Sequence, residues 1–377
     1  MIRMVLAAFA AALLSVTAYG QAIETAARHA LLIDDTTGTV LLEKAADVPM
    51  PPSSMSKLMT THMVFDLLKQ GKLKMSDELG VSERAWRMQG SKMFVDINTR
   101  VRVEDLLRGV IVQSGNDACI VLAEGLAGSE EAFAERMNQK AKQMGLTGST
   151  FRNSTGWPEK GHLMTARDLA LLAQRTIHDF PEYYPMYAEK EFTWHKIKQG
   201  NRNPLLYKNL GADGLKTGHT EEAGYGLTAS AVRDGRRLIL VLNGLSSMNE
   251  RARESERLLD WGFREFGNYA LFKQGETVDE AQVWLGETPT VPLIAEKDIV
   301  VTLSRKARQG MKASIVYDGP IKAPITRGTP IGKVVVNAPD NKTVEIPLVA
   351  GADVGQLGGA GRLLSAFKYL VFGKSKT

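Results

Sequence analysis

Strand-forming segments stand on both sides of a long helical stretch, and this order restricts the folds open to the chain. Two short apolar runs at 30–33 and 39–42 flank an Asp-Asp-Thr-Thr-Gly turn, a pattern typical of paired strands. Far along the chain, apolar runs at 227–232 and 238–242 flank Arg-Asp-Gly-Arg and predict a β-hairpin. We expect the early and late strands to share one antiparallel sheet with helices packed on it, which is an α/β (α+β) fold.

The stretch between these strands is predicted to be helical. Residues 54–70 follow a proline-rich segment and contain Met, Leu, Lys and Thr without glycine or proline, which favours a helix. The stretch 103–126 predicts two helices that meet at a Ser-Gly-Asn turn. Further helices are expected at 129–144, 165–178 and 250–266.

A different pattern begins near residue 272. Short β-rich segments separated by Gly, Pro and Asp turns predict a small sandwich or barrel. These segments lie at 282–285, 299–303, 312–317 and 333–336. A chain of 377 residues is long enough for two domains. We therefore expect a mixed domain at 25–268, which would be the catalytic one, and a small all-β domain at 272–350.

The N-terminus has the composition of a secretory signal. Arg3 precedes the apolar run 4–16, and the small residues Ala18 and Gly20 follow. A bilayer-spanning helix needs roughly 20 apolar residues, so this run is short for one. We expect a signal peptide at 1–20, cleaved after Gly20; an uncleaved anchor is the alternative.

The C-terminus predicts an amphipathic helix behind a flexible segment. Residues 351–361 include five glycines, which is typical of a linker. Beyond them, apolar side chains recur at helical spacing and share one face, flanked by basic residues. The apolar set is Leu363, Leu364, Phe367, Leu370 and Val371. We expect the segment 351–377 to hold the protein on a membrane surface; a helix packed on the protein itself is the alternative.

Charge and cysteine content narrow the classes of partner. The formal net charge is +5, which suits an anionic polymer or lipid surface. The Lys and Arg residues are scattered rather than interleaved with aromatics, so we expect no nucleic-acid partner. Cys119 is the only cysteine and lies in an apolar run, which predicts a buried side chain without a disulfide. The histidines form no H-E-x-x-H motif, so no metal site is expected.

The first candidate for chemistry is the motif S-x-x-K formed by Ser54 and Lys57. On a helix, residues three apart share a face, so the amine can reach the hydroxyl. Serine is a weak nucleophile and needs a base beside it, and lysine can be that base if burial lowers its pKa. Alone, the motif is more typical of an N-cap serine with a solvated lysine.

Two further motifs add polar groups suited to a cleft. Ser114 and Asn116, two residues apart on a turn, offer a hydroxyl and an amide that can relay a proton and hold a carbonyl. Lys216 and Thr217 precede Gly218 and supply an ammonium and a hydroxyl where substrate backbone can approach closely. Each motif alone is more typical of an ordinary polar turn or strand end.

Together and in this order, the motifs resemble the S-x-x-K, S-x-N and K-T-G set of low-molecular-weight penicillin-binding proteins, the serine-type D-alanyl-D-alanine carboxypeptidases. The resemblance runs from about residue 27 to the C-terminus and includes 166–170, 201–203, 213–220 and 223–226. The middle motif, Ser-Gly-Asn, is similar to the carboxypeptidases rather than to the Ser-Asp-Asn of many class A β-lactamases. This resemblance implies a transpeptidase/β-lactamase-like domain with an antiparallel sheet flanked by helices.

The resemblance also implies an activity without a cofactor: removal of the terminal D-alanine from peptidoglycan pentapeptides through an acyl-enzyme on Ser54. The resemblance assigns Lys57 as the base, Ser114 as the proton relay and Asn116 as the group that orients the substrate amide. It assigns Lys216 and Thr217 as the ligands of the substrate carboxylate. The backbone N–H groups of Ser54 and His219 would form the oxyanion hole. The implied partners are stem peptides ending in D-Ala-D-Ala, β-lactam antibiotics and a membrane surface. The implied location is the periplasmic face of the bacterial inner membrane.

Three alternatives remain open from the sequence. A β-lactamase of the same fold would use a Glu-x-x-x-Asn loop to activate water, but Glu159 is the only acid in 147–163 and no Asn lies four residues on. A Ser-His-Asp hydrolase would contain a G-x-S-x-G elbow, which is absent. A catalytically silent cell-wall-binding protein would form no covalent adduct with penicillin.

Overall fold

The computed structural model describes residues 23–339, 343–359, 361 and 363. The predicted signal peptide at 1–20 and the apolar residues of the predicted C-terminal helix beyond Leu363 therefore lie outside the described residues. The helices are α1 (Lys57–Lys69), α2 (Glu83–Arg87), α3 (Val103–Ile111), α4 (Asn116–Ala127), α5 (Glu130–Met144), α6 (Ala166–Asp179), α7 (Met248–Glu265) and α8 (Arg305–Gln309).

The strands of the first part of the chain are β1 (His29–Asp34), β2 (Val40–Lys44), β3 (Glu78–Gly80), β4 (Arg100–Arg102), β5 (Glu191–Trp194), β6 (Ile197–Gly200), β7 (Ala212–Thr220), β8 (Gly224–Arg233) and β9 (Arg236–Leu245). Those of the second part are β10 (Phe266–Phe272), β11 (Thr277–Trp284), β12 (Thr290–Ala295), β13 (Ile299–Ser304), β14 (Lys312–Val316), β15 (Ile321–Lys322), β16 (Pro330–Asn337) and β17 (Val344–Ala350). Short 3₁₀ turns occupy Ser53–Ser56, Tyr184–Ala188 and Pro204–Tyr207.

The central sheet joins the two ends of the mixed domain, as the sequence predicted. Its strand order is β2-β1-β9-β8-β7, and every neighbouring pair is antiparallel. The N-terminal strand β1 therefore pairs with β9, more than 200 residues later in the chain. This confirms the predicted α/β (α+β) class with strands from the early and late segments in one sheet.

Both faces of this sheet are covered, because alternate residues of a strand point to opposite sides. Leu31 of β1 and Val241 of β9 lie in the larger core with α1 and α3 to α6, whereas Leu32 and Leu240 lie in a second core. The second core contains Leu258 and Leu259 from α7. The result is a three-layer domain in which α7 covers one face and the helical middle of the chain covers the other.

The predicted helix boundaries shift at the two places where the motifs lie. The predicted helix 54–70 begins as a 3₁₀ turn at Ser53–Ser56 and becomes α-helical at Lys57. The predicted break in 103–126 is present, since α3 ends at Ile111 and α4 begins at Asn116. Both motifs therefore lie at helix ends.

Strands predominate in the second part of the chain, as the sequence predicted, although the short helix α8 lies among them. A six-stranded sheet has the order β14-β16-β17-β12-β11-β15, and β10 pairs with β13. Strand β10 begins at Phe266, directly after α7. Within the predicted linker, Val354 pairs with Ile325 and Gln356 pairs with Gly286, so this stretch lies on the β-rich domain.

A buried ion pair ties the central sheet to the end of α7 and to β10. The carboxylate of Asp34 is fully buried and accepts a hydrogen bond of 2.7 Å from Nε of Arg236. Its other oxygen accepts hydrogen bonds from the backbone N–H groups of Thr36 and Thr37 and from Nδ2 of Asn268. Arg236 in turn donates to the carbonyl of Phe266.

This pair predicts the effect of a single substitution on stability. Asp34→Ala should lower the free energy of unfolding by about 3–5 kcal/mol, since the variant leaves the buried Arg236 guanidinium without its carboxylate. Chemical denaturation followed by tryptophan fluorescence measures the change. Glu280→Ala, at an exposed position of β11, is the matched control and should change stability by no more than about 0.5 kcal/mol. Equal stability of the two variants would contradict this role of Asp34.

Candidate active site

The turn before α1 places Ser54 over the first residue of that helix. Because Lys57 follows one turn later, its Nζ donates a hydrogen bond of 2.9 Å to Oγ of Ser54. The side chain of Lys57 is fully buried, whereas Ser54 is only partly so. The neighbouring Ser53 turns away, and its Oγ lies 3.3 Å from Oγ1 of Thr220.

The ammonium of Lys57 is held by oxygens from three separate segments. Besides Ser54, it donates to Oδ1 of Asn116 at 2.7 Å and to the carbonyl of Thr155 at 2.5 Å. Burial lowers the pKa of Lys57 from 10.5 to about 8, and the positive charge of Arg202 contributes to the lowering. A lysine with this pKa is partly neutral near pH 8 and can accept the proton of the serine hydroxyl beside it.

The turn between α3 and α4 supplies the second pair of polar groups. Ser114 has a φ of 59°, in the left-handed region that few residues other than glycine adopt. A side chain at Gly115 would lie 3.1 Å from the backbone nitrogen of Met93, so the tight packing here favours glycine. Asn116 begins α4, and its Nδ2 donates to the carbonyl of Gln89 at 2.8 Å, which leaves Oδ1 directed at Lys57.

The third motif lies on β7, at the edge of the central sheet. The side chain of Lys216 is buried, and its Nζ donates a hydrogen bond of 3.0 Å to Oγ of Ser114. Burial and the positive charge of Lys57 hold the pKa of Lys216 well below 10.5. Gly218 allows the strand to approach the nucleophile turn, because a Cβ there would lie 2.9 Å from the carbonyl oxygen of Pro52.

The structure brings most of the sequence candidates into direct contact. Ser54, Lys57 and Asn116 form one hydrogen-bonded group, and Ser114 with Lys216 forms a second beside it. The remaining candidates follow on the same edge strand: Thr217 is buried, and the exposed ring of His219 stacks on Tyr225 with centroids 3.9 Å apart.

The groups that hold these side chains in place are not predicted by the sequence motifs. Asp117 is fully buried and accepts hydrogen bonds from the backbone N–H groups of Met93 and Phe94, which fixes the loop beside Asn116. Asn153 accepts from three successive N–H groups, 155 to 157, and so directs the carbonyl of Thr155 at Lys57. The available signal for Asp117 was an acid placed directly before the apolar run 118–123. The role of Asn153 had no such signal.

Arginines add positive charge to the same region. Arg202 donates to Oγ of Ser91 at 2.6 Å, and its positive charge lowers the pKa of both Lys57 and Lys216. Arg251 is largely buried, which lowers its pKa to about 10, and it donates to the carbonyl of Arg202. This concentration of positive charge favours an anionic ligand.

Glu159 lies in the loop where a class A β-lactamase would place its base, but its Oε2 accepts a hydrogen bond of 3.0 Å from Nδ2 of Asn153.

In the described ranges there is no cluster of His, Cys, Asp and Glu that could hold a metal ion. Nor does any helix among those residues have the length and apolar composition needed to cross a membrane.

Comparison with known proteins gives a consistent picture. Residues 15–246 match the D-alanyl-D-alanine carboxypeptidase family, and residues 266–356 match the C-terminal domain of penicillin-binding protein 5. D-alanyl-D-alanine carboxypeptidase DacC of Escherichia coli is 41% identical over 345 residues, which cover 89% of this chain and 86% of that protein.

Solved structures agree with these matches. The structure of penicillin-binding protein 5 from Haemophilus influenzae is 39% identical, covers 89% of this chain and 99% of that one, and has a TM-score of 0.82. Penicillin-binding protein D2 from Listeria monocytogenes, solved with bound ampicillin, is 30% identical, covers 64% of this chain and 98% of that one, and has a TM-score of 0.59.

The lowered pKa of Lys57 predicts how the reactivity of Ser54 depends on pH. A fluorescent penicillin should acylate the protein faster as the pH rises through about 8, because Lys57 accepts a proton only after losing its own. Arg202→Gln removes a neighbouring positive charge, so it should raise the pKa of Lys57 and move this rise to higher pH. Arg136→Gln, at an exposed position of α5, is the control and should leave the profile unchanged. A profile that does not move in the Arg202 variant would contradict the electrostatic coupling.

Proposed function

The chain belongs to the D-alanyl-D-alanine carboxypeptidase family and is a serine-type D-Ala-D-Ala carboxypeptidase, and we propose that Ser54 carries the acyl group in its reaction. The observation that carries this proposal is the hydrogen bond of 2.9 Å between Ser54 and the fully buried Lys57. Of the two adjacent serines, Ser54 contacts the lysine and Ser53 contacts Thr220.

In the acylation step, Oγ of Ser54 attacks the carbonyl carbon between the two D-alanines while Lys57 accepts its proton. The backbone N–H groups of Ser54 and His219 stabilise the oxygen that becomes negative. As the C–N bond breaks, Ser114 passes a proton to the leaving D-alanine, and its contact with Lys216 supports this relay. Water then hydrolyses the ester and restores Ser54.

Substrate recognition uses the free edge of β7. An edge strand offers unpaired backbone N–H and C=O groups, so the D-Ala-D-Ala segment can bind beside it as an added strand. Lys216 and Thr217 hold the terminal carboxylate, and the nearby arginines Arg202 and Arg251 favour its approach. Asn116 orients the substrate amide from the opposite side of the cleft. The substrates are peptidoglycan stem peptides, and the catalytic domain, about 25–268, supplies every one of these groups.

We propose that β-lactams acylate the same serine and leave slowly. Glu159 is the only acid within 147–163, and its hydrogen bond with Asn153 gives it a role in shaping the loop. The loop therefore lacks the base that activates water in a class A β-lactamase.

We further propose that the protein is exported and acts at the periplasmic face of the inner membrane. The apolar run near the N-terminus and the amphipathic pattern near the C-terminus support this location. A helix from 362 to 373 would be roughly 18 Å long, shorter than the roughly 30 Å core of a bilayer, which favours a position in the membrane plane.

The nucleophile is tested by exchanging the two adjacent serines. Ser54→Ala should abolish covalent labelling by a fluorescent penicillin and lower D-alanine release by at least ~10⁴-fold, because no other hydroxyl among the described side chains accepts a hydrogen bond from Nζ of Lys57. Ser53→Ala is the matched control and should retain both activities. Labelling that survives in the Ser54 variant would refute the assignment.

The anchor is tested by truncation beyond the residues that contact the β-rich domain. Leu357 donates to the carbonyl of Leu285, so the deletion should begin after it, at residue 358. Removing 358–377 should release the protein from vesicles of anionic lipid without changing its rate of D-alanine release. Phe367→Asp in the full-length chain should weaken vesicle binding as well. A full-length mature protein that ignores anionic vesicles would contradict the anchor.

A further inference from the structure

His162 is a buried histidine in the loop between α5 and α6, and only 3% of its surface is exposed. Gly161 precedes it with a φ of 83°, in the left-handed region where a side chain would be strained. The imidazole packs edge-on against the ring of Phe151, with centroids 5.8 Å apart. The ring is therefore held on both its backbone side and its face, and its two nitrogens are left to make polar contacts.

The two ring nitrogens of His162 have different partners, and this fixes the position of the proton. Nδ1 accepts a hydrogen bond of 3.2 Å from the backbone N–H of Arg152, so it carries a lone pair. Burial and the positive charges of Lys57 and Arg152 lower the pKa of the imidazole to about 4, so the ring is neutral at pH 7. The proton of the neutral ring therefore lies on Nε2, which donates to Oγ of Ser56 at 2.9 Å.

Ser56 lies at the N-cap position of α1, but its side chain does not cap that helix. The serines at the N-caps of α2, α5, α7 and α8 each accept a hydrogen bond from a backbone N–H three residues further on. Those serines have an extended backbone, whereas Ser56 has helical angles, with a φ of −56°. The hydroxyl of Ser56 therefore serves the contact with His162 rather than the end of the helix.

Through these contacts His162 joins two of the segments that hold the ammonium of Lys57. One is the turn before α1, which presents Oγ of Ser54 to Nζ at 2.9 Å. The other is the segment 152–155, which presents the carbonyl of Thr155 to Nζ at 2.5 Å. The imidazole bonds one residue of each segment, so it fixes their separation. A displacement of either segment would move an acceptor away from the ammonium.

We propose that His162 is a positioning residue for the acylation of Ser54, and that it acts through Ser56. Its Nε2–H holds the turn that carries the nucleophile, and its Nδ1 holds the segment on the other side of Lys57. The imidazole transfers no proton, because among the described hydrogen bonds it contacts neither Oγ of Ser54 nor Nζ of Lys57. This inference rests on the proposed function, since it takes Ser54 as the nucleophile.

Two substitutions replace the ring nitrogens one at a time. In His162→Asn, Oδ1 takes the position of Nδ1 and accepts from Arg152, but the side chain is too short to reach Ser56. In His162→Gln, the amide nitrogen lies near the position of Nε2 and donates to Ser56. The limiting rate of acylation at saturating fluorescent penicillin should fall about tenfold or more in His162→Asn and stay within about threefold of the wild type in His162→Gln. The half-saturating concentration of penicillin should change by no more than about twofold in either variant.

Two further variants separate the contact from a general effect on stability. Ser56→Ala removes the other partner, so it should lower the acylation rate as His162→Asn does, and the double variant should be no slower than either alone. His62→Gln is the matched control, because His62 is also buried and bonds a hydroxyl, that of Thr176, between α1 and α6. It should lower the unfolding temperature without changing the rate of acylation per labelled site.

The rate must follow the contact with Ser56 and not the stability of the variant. A wild-type acylation rate in His162→Asn overturns the inference, as does a wild-type rate in Ser56→Ala if the first variant does not fold. Equal losses in His162→Asn and His162→Gln overturn it, and so does a double variant whose loss is the product of the single losses. In each of these cases, labelling that still requires Ser54 leaves the proposed function intact, whereas labelling that survives Ser54→Ala overturns both.

Discussion

The arrangement of the active site depends on the hydrogen bonds that the buried ammonium of Lys57 donates. Taking a charge out of water costs several kcal/mol unless hydrogen bonds replace the lost hydration. Here the replacement oxygens come from the turn before α1, from Asn116 at the start of α4 and from the loop carbonyl of Thr155. These three segments must meet at one point for the lysine to be satisfied, so the folding of the domain and the assembly of the site are coupled.

The same burial lowers the pKa values of the two active-site lysines. The pKa of Lys57 is about 8, and the pKa of Lys216 is also lowered. In both cases the ammonium is desolvated by burial and lies near positive groups such as Arg202. The buried acid Asp117 does not neutralise them directly, since its oxygens accept hydrogen bonds from backbone N–H groups. Under the proposed function, a substrate carboxylate would enter a region whose positive charges lack acidic side-chain partners among the described hydrogen bonds. Its binding would relieve that repulsion.

The elements that sequence reasoning predicted well are those with a strong local pattern. The strands β1, β8 and β9 have alternating or continuous apolar runs between clear turns, and the break at Ser114 follows from a Ser-Gly-Asn turn inside an apolar stretch. The limits of other elements depended on contacts that the pattern does not contain. The 3₁₀ start at Ser53–Ser56 packs against Gly156 and Gly218, and residues 354–357 lie on the β-rich domain through pairings with distant strands.

The sequence by itself determined the class of fold, the two-part organisation and the motif residues, because these depend on periodicity and on spacings within one helix or turn. The contact between Ser54 and Lys57 is of this kind, since three residues along a helix bring the two side chains together. Only the tertiary structure decided the rest. Lys216 donates a hydrogen bond to Ser114, and Lys57 donates one to the carbonyl of Thr155. A cavity lies between Trp157 and Thr220. Each of these features joins segments about 60 to 100 residues apart in the sequence. Such contacts follow from the packing of whole layers and the need to satisfy every buried charge, which no local pattern encodes.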